Sequence, residues 1–184
     1  MKSKERLRKK YYLIRKKKYF EIESNFFDPF IRLIKKKYKK KLINLSSYYP
    51  SSFEVNTLKI FETNIKNKVR LFLPALRGKN SMNFYQWSNN EVLKVNKYGM
   101  LEPFIQSNQI VPDIMLVPLL SYDKNKNRLG YGKGFYDRYL KKYLKKYKDI
   151  LTIGIAFSFQ KHHKLPVVNN DVKLNYILTE KGIF

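Results

Sequence analysis

Between Ile114 and Tyr147 the chain runs from an unbroken apolar stretch into a polar turn, then into three glycines on alternate positions, then into a segment with helical spacing. Residues 114–119 (IMLVPL) are apolar throughout, which predicts a strand covered on both faces. Downstream, Tyr136, Tyr139, Leu140, Tyr143, Leu144 and Tyr147 recur at helical spacing, while Lys141, Lys142, Lys145 and Lys146 take the opposite face. Gly130, Gly132 and Gly134 therefore lie between a strand end and a helix N-terminus.

The rest of the chain extends this alternation. Residues 4–20 read as a basic helix with Leu7, Tyr11 and Ile14 on its apolar side. Phe27, Phe30, Ile31, Ile34 and Tyr38 repeat the spacing, so a second helix is predicted over 28–40, with Asp28 as N-cap and Pro29 in the first helical position. Residues 41–46 read as a strand, and 54–67 as a helix with Val55, Leu58, Phe61 and Ile65 on one side. Further strands are predicted at 69–73, stopped by Pro74, at 82–87 and at 151–157, with 175–179 as a final edge strand. The reading is α/β: one domain over 1–184, three layers α/β/α, with a Rossmann-like, mostly parallel sheet and a basic N-terminal helix.

Composition removes whole classes of chemistry. With no cysteine there is no disulfide, thiolate metal site or Cys nucleophile. The two histidines, His162 and His163, are adjacent, which leaves little room for zinc or Ser-His-Asp chemistry. No apolar run reaches the roughly 20 residues needed to cross a bilayer. The Lys-rich start contains carboxylates and leads into no apolar stretch, so a cytoplasmic, membrane-free protein is expected, acting as a monomer. The net charge of +25 invites an anionic partner such as nucleic acid. However, only eight of the 39 basic residues are Arg, the side chain suited to bidentate recognition, and the lysines are dispersed. The abundance of Lys, Asn, Ile, Tyr and Phe is what an AT-rich genome encodes. Lysine clusters at 16–18, 35–37 and 39–41 fall on solvent faces or ends of the proposed helices. Nucleic-acid adhesion is expected to be non-specific and to fade with salt.

The glycine turn is where phosphate binding is physically easy. Glycine lets the backbone approach a ligand and present its N–H groups, and the helix N-terminus adds partial positive charge. Arg128 and Lys133 flank the turn, and Asp137 falls in the helix's first turn, within reach of a metal held by phosphates. GYGKG has neither the Walker A spacing nor that of the dinucleotide fingerprint. Taken alone, it could equally be a surface turn before an amphipathic helix.

The whole string RLGYGKGFYDR, from Arg128 to Arg138, resembles the signature of the 5-formyltetrahydrofolate cyclo-ligases. Lys4 and Arg8 match the family's N-terminal K-x-x-L-R element, and Glu54 its E-V-x-T glutamate, with Tyr49 five residues earlier. YGMLEP from Tyr98 resembles the G-x-x-E-P turn, and LPVVNND, ending at Asp171, the late L-P-V-x-x-x-D. Asn56, Asn170, Asn175 and Phe135 depart from the usual residues.

The resemblance implies ATP- and Mg²⁺-dependent cyclisation of 5-formyltetrahydrofolate, with or without a polyglutamate tail, to 5,10-methenyltetrahydrofolate, ADP and phosphate through a phosphorylated formyl intermediate. It implies ATP binding by Lys4, Arg8 and the stretch Arg128, Leu129, Gly130, Tyr131, Gly132, Lys133, Gly134, Phe135 and Tyr136. Arg128, Lys133 and Asp137 would be catalytic, with Asp137 and Asp171 on the metal. Tyr49, Glu54, Phe135 and Tyr136 would hold the folate, Glu54 at the polar edge of the pterin. Trp87 is expected in the core, and the histidines have no assigned role. The alternatives are a basic nucleic-acid-binding protein and a relative of the same fold with another substrate or none.

Overall fold

The computed structural model describes residues 2–38, 42–105 and 109–184. Its helices are α1 (Lys2–Lys18), α2 (Asp28–Lys37) and α3 (Phe135–Lys146). Its strands are β1 (Ile43–Ser46), β2 (Val69–Arg77), β3 (Ser81–Gln86), β4 (Leu93–Val95), β5 (Leu101–Pro103), β6 (Ile114–Pro118), β7 (Ser121–Tyr122), β8 (Arg128–Leu129), β9 (Leu151–Ile155), β10 (Tyr176–Thr179) and β11 (Gly182–Ile183). Seven strands form one sheet in the order β11-β10-β9-β6-β1-β2-β3. The pairs from β10 to β2 are parallel, and only the flanking β11 and β3 run antiparallel. The expected mostly parallel α/β sheet is therefore present.

Alternation along the strands divides the core into two layers. On one face Ile43, Leu45, Ile114, Leu116, Ile153 and Ile155 meet Phe27, Phe30, Ile31 and Ile34 from α2 and the turn before it. On the other, Met115, Val117 and Ile177 meet Tyr139 and Leu140 of α3. Every residue of β6 and β9 is buried, as both-face coverage requires. The order in which strands are added reverses between the parallel neighbours β1 and β6: from β1 the sheet grows one way to β2, and from β6 the other way to β9 and β10. In open α/β sheets, ligands bind beyond the carboxyl ends of the strands at such a switch point.

Several local expectations are corrected. The α2 helix begins at Asp28 itself, after a 3₁₀ turn at Ser24–Phe27, so Asp28 adds charge to the first turn and is not the N-cap. It ends at Lys37; residues 39–41 lie outside the described residues. The expected helix over 54–67 is instead two 3₁₀ turns, Thr57–Glu62 and Lys66–Lys68. Asn56 caps the first by accepting from Leu58 N at 3.2 Å, leaving Glu54 outside any helix. Pro74 does not stop β2, which continues to Arg77. Leu76 N donates to Glu102 and not to β3, so the even positions here turn their nitrogens away from the ladder, where proline removes no sheet bond. Residues 176–179 form β10 but not the edge, because β11 pairs with it. Among the described residues no helix is long and apolar enough to cross a membrane.

Candidate active site

The α1 helix crosses the carboxyl ends of the central strands with a polar face inward. Lys4, Arg8, Tyr11 and Arg15 recur at intervals of four, three and four, so they share one side of the helix. Each reaches a different segment. Lys4 Nζ pairs with Asp171 Oδ2 at 2.5 Å. Arg8 Nε donates to the Gly130 carbonyl at 3.0 Å. Tyr11 Oη lies 2.9 Å from His162 Nδ1 and 3.2 Å from the Lys161 carbonyl. Arg15, only 1% exposed, donates to the Leu119 carbonyl, the Ser52 carbonyl and Tyr131 Oη. Lys4 and Arg8 thus lie on one face of α1, facing Asp171 and the glycine turn. Tyr11 is expected from the sequence only as an apolar helix position, and Arg15 is not singled out there, although it continues the spacing that starts at Lys4.

The polar turn before the glycines is a hairpin of β7 and β8, closed by Asp123. That buried carboxylate accepts from Asn125 N, Asn127 N, Asn127 Nδ2 and Leu165 N at 2.9–3.1 Å. It thereby fastens the start of the LPVVNND segment to the glycine turn. Arg128 and buried Leu129 form β8, and α3 begins at Phe135 with Gly134 as its cap. Gly132 and Gly134 have φ of +95° and +68°, conformations that strain any residue with a Cβ. A Cβ on Gly132 would also fall 3.1–3.3 Å from the Arg8 guanidinium.

Within this frame Arg128 Nη2 pairs with Asp137 Oδ1 at 2.7 Å, and Val172 N donates to the same oxygen at 3.2 Å. Asp171, whose Oδ2 also accepts from Val168 N at 2.8 Å, is the neighbour of Val172. The structure thus brings together Lys4, Arg8, Arg128, Asp137, Asp171 and the glycine turn. Lys133 stands apart from that pair, its ammonium 5.1 Å from the Tyr98 ring centroid. Phe135 packs 5.9 Å from the same tyrosine. Tyr136 lies under the Arg128 guanidinium at 5.8 Å.

Glu54 follows Ser52 and Phe53, two non-glycine residues held at φ of 50° and 64°. Its buried carboxylate accepts from Ser51 N at 3.0 Å and from Tyr131 Oη. Burial raises its pKa above the usual carboxylate value, against the opposing pull of Arg15 and of the Tyr131 and Ser51 hydrogen bonds. The ring of Tyr131 is 43% exposed, but its hydroxyl is enclosed, and burial with the adjacent Glu54 charge pushes its pKa well up. Tyr136 shifts the same way for the same two reasons. Tyr49 packs edge-on against Trp87 at 6.2 Å, and Trp87 is in the core, as expected.

Ser46 Oγ, Ser47 Oγ, Arg128 Nε and Tyr136 Oη are buried without a hydrogen-bond partner among the described residues. Buried polar atoms in that state at the ends of β1 and β8 and on α3 suit a polar ligand. No sequence pattern marks the two serines as different from any strand-end Ser. The departures from the family pattern serve the fold: Asn170 accepts from Lys141 at 2.6 Å, and Asn175 accepts from Thr152 N and Oγ1 at 2.8 Å.

A family model described as the 5-formyltetrahydrofolate cyclo-ligase family matches residues 1–180. The chain belongs to that family. Among curated relatives, the Haemophilus influenzae 5-formyltetrahydrofolate cyclo-ligase is 30% identical over 141 residues, covering 73% of this chain and 74% of the relative. A probable 5-formyltetrahydrofolate cyclo-ligase of Schizosaccharomyces pombe is 31% identical over 144 residues, 71% of each chain. Two solved structures carry the same fold. The 5,10-methenyltetrahydrofolate synthetase from Mycoplasma pneumoniae has a TM-score of 0.70 at 27% identity, over 96% of this chain and 98% of that one. The Aquifex aeolicus 5,10-methenyltetrahydrofolate synthetase has a TM-score of 0.73 at 29% identity, over 98% and 91%. The match to the cyclo-ligase family model thus spans α1 through β10.

Proposed function

We propose that the chain converts 5-formyltetrahydrofolate and ATP, with Mg²⁺, into 5,10-methenyltetrahydrofolate, ADP and phosphate. The observation that carries this reading is the convergence of Arg8 and Arg128 on the glycine turn, with Lys4 on the adjoining Asp171 and the buried carboxylate of Glu54 bonded to Tyr131 of the turn. Cations and glycine backbone suit a triphosphate. A buried carboxylate suits the N–H edge of a pterin.

The chemical difficulty lies in the substrate. An N-formyl group is an amide, so its carbonyl is a poor electrophile and its oxygen a poor leaving group. Attack of the formyl oxygen on the γ-phosphorus of ATP, with departure of ADP, turns that oxygen into a phosphate ester on an iminium carbon. N10 then adds to this carbon, closing the five-membered ring. Loss of phosphate and of the N10 proton gives the methenyl product.

The protein's tasks are alignment, charge neutralisation and exclusion of water. Alignment alone can supply roughly 7–11 kcal/mol at best. Arg8 and Arg128 would bind phosphate oxygens, and Lys4 would do so from the mouth of the site. Lys133 would join them by turning away from Tyr98. Phe135 and Tyr136 offer ring faces to the folate, and Tyr49 closes the side by Trp87.

Magnesium needs one or two carboxylates together with phosphate oxygens and water, not a cage of protein ligands. Asp137 and Asp171, tied to one another through the Val172 backbone, fit that requirement. Among the described residues no three acidic or histidine side chains could hold a metal by themselves, so the nucleotide would complete the set. Bound there, the ion would neutralise charge on the transferring phosphoryl group.

The test is formation of methenyltetrahydrofolate followed by absorbance, with ATP and Mg²⁺ supplied or omitted. Product is expected only when both are present; product that forms equally without ATP, or none under any condition, overturns the reading. A narrower check concerns Gly132. Gly132→Ala forces a Cβ into a left-handed position and against Arg8. The KM for ATP is expected to rise about tenfold, as for the loss of a charged hydrogen bond. An unchanged KM would separate this turn from the nucleotide.

A further inference from the structure

We infer that Arg15 is a positioning residue for Glu54, acting through Tyr131 and the Ser52 carbonyl to fix where the folate ring is held. The inference rests on the proposed folate-binding role of Glu54. Its observations lie outside the glycine motif.

Arg15 joins the two sides of the switch point. Its Nη1 donates to the Leu119 carbonyl, just beyond β6, at 3.3 Å, and to Tyr131 Oη in the glycine turn at 2.7 Å. Its Nη2 donates to the Ser52 carbonyl, in the loop after β1, at 2.9 Å. Both routes end at Glu54. Tyr131, having accepted from Arg15, donates its own proton to Glu54 Oε1. The Ser52–Phe53 turn, with its two left-handed residues, sets the backbone that enters Glu54, and Arg15 holds it by its carbonyl.

A guanidinium that is 1% exposed and bonded to three segments is a costly structural element. Among the described residues, the one hydrogen-bond partner of Arg15 with a titratable side chain, Tyr131, leads to the Glu54 carboxylate. The fork geometry is the kind of contact lysine cannot reproduce. Arg15 Nε is itself buried without a partner among the described residues, so the guanidinium is not built for maximal internal satisfaction.

The charge has a second effect. The groups facing Glu54 are Arg15 from α1, Tyr131 from the glycine turn, Tyr48 from the loop after β1 and Tyr136 from α3. Of these, only Arg15 carries a charge at neutral pH, and it favours the ionised carboxylate that a pterin N–H requires. Removing Arg15, or the Tyr131 hydroxyl that donates to Glu54, raises the pH at which that carboxylate ionises.

The experiment compares wild type, Tyr131→Phe, Arg15→Lys and Arg15→Met. It measures the KM for each substrate and the pH profile of kcat/KM for 5-formyltetrahydrofolate. Tyr131→Phe keeps the ring and removes only the hydroxyl, so it reports even if Arg15→Met does not fold. For Tyr131→Phe the folate KM is expected to rise about tenfold or more, well beyond any rise in the ATP KM, with the acid limb displaced to higher pH. Arg15→Lys retains the charge without the fork. It should raise the folate KM similarly while keeping its acid limb nearer the wild-type position than Arg15→Met does. A structural role alone would move both KM values together and leave the limb where it was; that outcome overturns the inference. If wild type turns over with these splits absent, only the role of Arg15 falls. If wild type does not turn over 5-formyltetrahydrofolate, the proposed function and this inference fall together.

Discussion

Asp137→Asn is expected to lower kcat for 5-formyltetrahydrofolate by about a thousandfold while leaving the KM for ATP unchanged or lower, the scale seen when a transition-state charge contact is lost. The split follows from where Asp137 sits. Its Oδ1 accepts from Arg128 and from Val172 N, in the first turn of α3. Asparagine keeps the shape and one acceptor oxygen, so Arg128 retains a partner and the turn retains its backbone bond. What disappears is the negative charge. Arg128, whose side chain is only 4% exposed, is then less well compensated and attracts phosphate no less strongly than before. A metal shared between carboxylate and phosphate loses one of its few protein ligands. Binding therefore survives and turnover does not. If Asp137 served only to balance Arg128, the outcome would be different: a stability loss of roughly 1.5–3 kcal/mol, as for a hydrogen bond to a charged group, with kcat near wild type. Steady-state kinetics at several Mg²⁺ concentrations, together with urea unfolding of the same protein, separates the two. A fully active variant would remove Asp137 from the chemistry.

The glycine turn was legible because its meaning is local. A strand covered on both faces, glycines and an amphipathic helix each carry their own pattern, and β6, Gly134 and α3 lie where those patterns put them. The α1 helix illustrates what pattern cannot show. Hydrophobic spacing assumes that a buried face is apolar, and Leu7, Tyr11 and Ile14 satisfied that assumption only in part. The side that is buried carries Lys4, Arg8 and Arg15, because it packs against carbonyls and a carboxylate rather than against a core. In so basic a chain these cations look like any others until their partners are placed. Residues 54–67 failed for a different reason. Val55, Leu58, Phe61 and Ile65 fit a helix, but the 3₁₀ path buries Val55, Ile60 and Ile65 and leaves Leu58 and Phe61 partly covered. The local bonds of Asn56 and Thr63 to the backbone then decide against continuation, since each offers the chain an alternative to the helical ladder. The resemblance to a family supplied Glu54 as a site residue. Only the fold shows that it reaches the site from the end of the central strand, through a strained turn held by Arg15.

The same central strand gives the largest expected effect on stability. Leu45→Ala should destabilise the protein by about 3 kcal/mol, within the 2–5 kcal/mol range of buried leucine truncations, and lower its melting temperature by roughly 10 °C. Leu45 is fully buried on β1, in register with Leu71 of β2 on one side and Ile114 of β6 on the other. Above it lies the cluster from α2, with Phe30 and Ile34. A cavity opened there is bounded by two parallel neighbours and a helix, none of which can move in without breaking sheet bonds. Collapse is therefore incomplete, and the full cavity term remains. Leu13→Ala is the control: Leu13 is 62% exposed on the outer side of α1, and its loss should stay within about 0.5 kcal/mol. Calorimetry or urea unfolding of the two variants checks the difference. Equal stability would mean that β1 is not the buried centre of this sheet, and the switch point beside it, with Glu54 and Ser46 at its end, would lose the rigid support on which the site depends.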